Sequence, residues 1–178
     1  MSSMQTRSIP AVAVAAMAFV GMLLLGMLPS AQADAGDGSL TAGQTLTAFD
    51  VQNPAIGRLE PALLTAIQQA TTAAAADGIH MTITSGWRSP AFQQALLDQA
   101  VSTYGSLAAA RQYVQTPEQS KHVIGAAVDV GGTGADQWLI ANGARFGLCR
   151  IYTNELWHFE LATDAAGNCP PLLPNAAV

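Results

Sequence analysis

An uncharged apolar run from Ala11 to Leu28 constrains the fold first, because it takes out of the folding problem much of the hydrophobicity the chain contains. The only charge before it is Arg7, and Pro29, Ser30 and the small-x-small triplet Ala31-Gln32-Ala33 follow it. A short basic stretch, an apolar stretch and small residues at the end form the pattern of a secretory signal peptide, so residues 1–33 are expected to be removed by cleavage after Ala33. The run also approaches the length of a membrane span, which makes an uncleaved anchor the competing reading. On either reading the rest of the chain works outside the cytoplasm, in the cell wall or secreted, and after cleavage it needs no membrane. What remains of the 178 residues suffices for one domain with a modest core.

Half of the residues are hydrophobic and 11% are charged, with a net charge of −5 that becomes −6 once Arg7 is removed. A nucleic-acid partner is excluded, since a phosphate backbone repels such a surface. General disorder is excluded too, because it requires low hydrophobicity and high net charge. Two cysteines are too few for a disulfide framework or a four-cysteine zinc site. In an oxidising compartment Cys149 and Cys169 most simply pair, pinning the C-terminal segment to the domain.

Residues 34–48, which open on Gly, Ala, Asp and Ser, read as a flexible leader, and residues 49–178 as the folded domain. Apolar residues at helical spacing predict a helix over Pro61–Ala76, stopped by Asp77-Gly78. Alternation predicts a strand over Ile79–Thr84. Ser89 as a cap and Pro90 at the first position predict a helix from Ala91 to Val101. Further helices are expected over Ser106–Tyr113 and Ala135–Ala144, and strands over Gly125–Val130, Leu148–Tyr152 and Leu156–Leu161. Helices early and short strands late indicate an α+β domain, expected as a monomer.

Three histidines exist, His80, His122 and His158. His122 precedes by seven residues Asp129, a carboxylate between Val128 and Val130 whose burial requires a cation or a donor. A carboxylate taking backbone N–H groups beside an exposed histidine answers that requirement as well as a metal does. In Asn154-Glu155-Leu156-Trp157-His158-Phe159-Glu160 a second histidine lies among carboxylates, and alone it is a core histidine bonded to a carbonyl. Together, His122, Asp129 and His158 make three mixed N and O ligands, the catalytic pattern in which zinc keeps a fourth position for water. Strand alternation puts Glu160 on the face of His158 and makes it the preferred base. Glu155 serves only if it lies on a turn before the strand, as Thr153-Asn154 permits, and spacing leaves the choice open. Arg88, in the loop after the first strand, suits a developing oxyanion or a substrate carboxylate, although alone it reads as a surface arginine. Gln93, one turn into the next helix, is placed to support it or the substrate.

These segments resemble the zinc D-alanyl-D-alanine carboxypeptidases and related peptidoglycan peptidases, a VanY-like family that includes enzymes of vancomycin resistance. Three of its motifs match in order over about residues 50–162: Ser85-Gly86-Trp87-Arg88-Ser89 with Gln93, Ser-x-His-x-x-Gly-x-Ala-x-Asp from Ser120 to Asp129, and Glu-x-Trp-His at Glu155, Trp157 and His158. The resemblance implies a small domain with N-terminal helices packed on a short antiparallel sheet, of the kind shared with hedgehog proteins. It implies one zinc per chain on His122, Asp129 and His158, with Glu155 rather than Glu160 as base and Arg88 stabilising the oxyanion. Ser120, Gln93 and Trp157 would shape the site for a peptidoglycan stem peptide. The implied activity is removal of a terminal D-amino acid. An L,D-carboxypeptidase or stem endopeptidase is the alternative within the same chemistry, and a non-catalytic cell-wall-binding module the alternative outside it. Trp87 stands where the family more often has tyrosine, and Glu118 where a glycine often follows the proline; neither is a ligand.

Overall fold

The computed structural model describes residues 36–178, so the expected signal peptide and its cleavage point lie outside the described residues. No described helix is long and apolar enough to cross a membrane. The elements run α1 (Pro54–Gly57), α2 (Pro61–Ala76), β1 (Thr82–Ser85), α3 (Pro90–Tyr104), α4 (Leu107–Ala110), β2 (Ala127–Gly131), α5 (Ala135–Asn142), a 3-10 turn (Gly143–Phe146), β3 (Leu148–Arg150) and β4 (His158–Leu161). The strands form one sheet in the order β1-β2-β4-β3, antiparallel throughout. This is the α+β architecture the sequence suggests.

Helix α2 forms because Leu63, Ala66, Ile67, Ala70 and Ala74 fall on one face and bury there against the sheet core. Val128, Val130 and Phe159 meet that core from β2 and β4, together with Ile83 from β1. Alternation then turns Asp129 and His158 to the opposite face. Both faces of β2 are covered, which is why its sequence reads as an almost continuous apolar run.

Two side chains from the expected leader are core residues. Leu46 exchanges backbone hydrogen bonds with Ile83, at 2.9 and 2.7 Å, and Ala48 is buried nearby. Helix α1 is absent from the sequence reading although its signal is present: the Asn53 side chain accepts from the Ala55 amide and Pro54 opens the turn. The strand expected over Leu156–Leu161 begins only at His158, because Leu156 and Trp157 lie in a turn. That late start decides which carboxylate reaches the site.

Candidate metal centre

The centre lies where β2 and β4 run side by side. Asp129 and His158 are directly paired across the two strands, so their side chains emerge together on one face. On the other flank β1 shifts register between Ile83 and Ser85, an irregularity that ends the pairing opposite Asp129 and releases the chain into the Gly86-Trp87-Arg88 loop. A Cβ on Gly86 would fall 2.0 Å from the Ala55 carbonyl, so only glycine lets this loop rest on α1.

The Gly86 carbonyl in turn accepts from Nδ1 of His122 at 2.7 Å. A carbonyl only accepts, so Nδ1 carries a proton and Nε2 is the nitrogen left for the metal side. The loop bearing His122 closes at Gly125, whose φ of 74° and close approach to the Arg58 carbonyl require glycine. His158 is oriented from the opposite side: Nε2 faces Glu160 Oε1 at 3.0 Å, while Nδ1 faces Asp129 Oδ1 at 3.2 Å. His122 Nε2 lies 3.3 Å from the same oxygen. One ligand atom from each of the three buried residues lies within 4.8 Å of the others, a grouping that could hold a metal ion. Each imidazole bonds an outer acceptor through its second nitrogen, the arrangement that orients metal-ligating histidines.

The part-buried Arg88 and the buried Gln93 and Glu155 complete the surroundings. Arg88 donates through Nε to Ser85 Oγ (2.9 Å), through Nη1 to Gln93 Oε1 (3.1 Å) and through Nη2 to Asp129 Oδ2 (3.0 Å). Gln93 passes its amide to the Gln115 carbonyl at 2.8 Å. Glu155, on the turn before β4, has Oε2 3.9 Å from His158 Nδ1, and its Oε1 is buried with no hydrogen-bond partner. An orphaned buried carboxylate oxygen is costly, and beside an open ligand set it is placed for water, a metal or a substrate.

Burial would raise the Asp129 carboxyl, but the two imidazoles and Arg88 outweigh it and hold the group well below the usual carboxylate range. His122 is pushed down, by burial first and Arg88 second. Burial opposes charging of His158, yet the hydrogen bonds to Asp129 and Glu160 carry its pKa to about 9. Burial raises Glu155 to about 7.

A cavity of about 210 Å³ opens onto this cluster, and Arg88, Gln93, Ser120, Glu155 and Trp157 contribute to its wall. Every residue that the family resemblance assigns to the site is therefore there. Glu160 is there also, on the far nitrogen of His158 and away from the ligand atoms. His80 takes no part in this cavity or in the ligand group. Tyr113, Gln115, Tyr152 and Ala176 also line the cavity without having drawn attention in the sequence. Tyr152, 5.2 Å from the His158 ring, follows a strand end with no pattern around it.

An antiparallel sheet presenting a histidine and an aspartate, with a second histidine from the loop before β2 and a carboxylate and an arginine beside them, defines the class of mononuclear metallopeptidase-like domains with an open ligand position. A model of the VanY family, D-alanyl-D-alanine carboxypeptidase, matches residues 57–162, more than half of the chain, and the chain belongs to that family. A D-alanyl-D-alanine carboxypeptidase from Enterococcus faecalis is 31% identical over 119 residues, covering 53% of this chain. The chain spans only 44% of that relative's length. Among solved structures, a mutant of the vancomycin-resistance D,D-pentapeptidase VanY from a VanB-type cassette, in complex with Zn(II), is 28% identical with a TM-score of 0.55, over 74% of this chain and 80% of that one. VanYB in complex with D-alanine-D-alanine is 27% identical over the same shares, also with a TM-score of 0.55. The LdcB LD-carboxypeptidase, at 23% identity and a TM-score of 0.54 over 61% of each chain, shares the fold.

Proposed function

We propose that this protein is an exported zinc peptidase that removes the terminal D-alanine from D-alanyl-D-alanine stem peptides of peptidoglycan. The observation that carries the reading is the convergence of His122 Nε2, Asp129 Oδ1 and His158 Nδ1 within 4.8 Å beside the unpartnered Glu155 oxygen. Two imidazoles and a carboxylate suit zinc and leave a position open. A zinc ion, when bound, supplies a Lewis acid that polarises a carbonyl and brings the pKa of water toward about 7.

The remaining work belongs to the chain. Glu155 takes the proton of the attacking water at its free Oε1 and delivers it to the departing amine. Arg88 commits three of its five N–H groups to Ser85, Gln93 and Asp129, and the two left over serve the oxygen that gains charge as the amide is attacked. The same contact with Asp129 Oδ2 fixes which oxygen of that ligand faces the imidazoles. Ser120 and the half-exposed Trp157 form walls against which the peptide lies. The family and the relatives' complexes with Zn(II) and D-alanine-D-alanine support this choice of substrate class and metal. A peptidoglycan substrate fits a protein acting outside the cytoplasm, with residues 1–33 as its export signal and a catalytic domain whose core already includes Leu46 and Ala48.

Mass spectrometry of defined muropeptides incubated with the zinc-loaded protein tests this directly. Loss of one D-alanine from a pentapeptide stem is expected, and intact stems would refute the reading. Glu155→Gln is expected to lower kcat by about 100-fold or more while zinc content holds. A wall-binding module would show no such loss.

A further inference from the structure

We infer that the C-terminal strap, Leu173 to Val178, closes one end of the substrate groove, so that the site admits the free end of a peptide and not a peptide running through it. This rests on the peptidase reading above and deepens it. Beyond β4 the chain is bonded to β3 through Cys149–Cys169 and then bridges Tyr152 at Leu173. Leu173 donates its amide to the Ile151 carbonyl at 2.9 Å, and its own carbonyl accepts from the Thr153 amide and hydroxyl, both at 2.8 Å. Three residues further on, Ala176 is buried and its carbonyl accepts from Gln115 Nε2. Gln115 is also the residue whose backbone carbonyl holds Gln93, and Gln93 holds Arg88. The strap is thus tied in three steps to the guanidinium on Asp129.

Its position follows from the cavities it borders. The metal-site cavity and a second one of about 420 Å³ share Gln115, Gln119, Lys121, Tyr152 and Ala176 in their walls. Leu173, Ala177 and Val178 line only the second. Ala176 and Gln115, bonded to each other and common to both, are the partition. Without it the two spaces would join past Tyr152 and Lys121, which line both. Gln115 is accordingly a positioning residue: it holds the strap on one side and Gln93 on the other.

Two peptides decide the matter: an acyl-D-alanyl-D-alanine with a free carboxylate, and the same peptide extended by two residues and amidated. Calorimetry on the zinc-loaded Glu155→Gln protein reads binding, and kcat/KM on the active protein reads cleavage. The intact strap is expected to weaken the extended peptide by about tenfold or more relative to the free-ended one. Deleting Asn175 to Val178 should bring that ratio below about threefold, and Gln115→Ala, which keeps the whole chain, should move it the same way. If the free-ended peptide binds and neither variant shifts the ratio, the substrate reading stands and the strap inference is overturned. If neither peptide binds the intact chain, the proposed substrate is wrong and the strap inference falls with it.

Discussion

Asp129 faces both imidazoles with one oxygen and Arg88 with the other, so its removal acts in two ways. Asp129→Ala deletes the central ligand and leaves a part-buried guanidinium without its counter-charge, a loss of about 3 kcal/mol. Zinc content near zero and a lowered denaturant midpoint in the same variant are the expected results. His158 gives the complementary prediction. With a pKa raised to about 9 in the metal-free protein, its imidazole is protonated at neutral pH, whereas a ligand needs the Nδ1 lone pair. Zinc binding at pH 7 should therefore expel about one proton, read by calorimetry in buffers of different ionisation enthalpy. Affinity should rise as pH approaches 9 and level off above it, since the proton is then already gone. At this scale the sequence was most legible, because a carboxylate in an apolar strand announces that something must compensate it. The compensation proved to be His122, His158 and Arg88 together, and composition cannot tell which of these partners a fold will deliver.

Elements settle what residue spacing left open. Alternation along β4 does put Glu160 on the face of His158, yet at the outer nitrogen, where it orients the ring. Glu155 reaches the inner side only because Leu156 and Trp157 belong to a turn and the strand starts late. Local sequence gave no reason to end the alternating pattern there, since that boundary is set by pairing with β2 and β3. Helix α2 was legible to the residue because its face and its stop signal agree. Helix α1, a single turn, has too little periodicity to register. The loop that carries His122 gives the test at this scale. Gly125→Ala places a Cβ 2.4 Å from the Arg58 carbonyl at a φ of 74°, an expected loss of about 1–3 kcal/mol. Zinc affinity should fall as well, because the strain is relieved by shifting His122. Gly78→Ala has a similar φ of 77° but open space around it, so about 1 kcal/mol of strain and unchanged zinc affinity are expected. Equal effects from the two substitutions would show that the loop's close contact does not position the ligand.

Across the whole molecule, the C-terminal segment carries little regular structure and depends on a few fixed points. The Cys149–Cys169 bond, with a sequence separation of 20, is the covalent one, and Cys149 is buried within β3. The sequence made this pairing legible through the export context, but not its consequence, since no local pattern shows that residues 173–178 return to the metal site. Closing a loop of that length removes entropy from the unfolded chain worth about 3 kcal/mol. Reduction, or the paired substitution Cys149→Ser and Cys169→Ser, should lower the melting temperature by roughly 10 °C for a domain of this size. Neither cysteine belongs to the ligand group, so zinc content should be unchanged before the melt. A reduced protein that melts where the oxidised one does would mean that hydrogen bonds to Ile151, Thr153 and Gln115 hold the segment unaided. A reduced protein that loses zinc first would mean that the anchoring of this segment supports the ligand geometry itself.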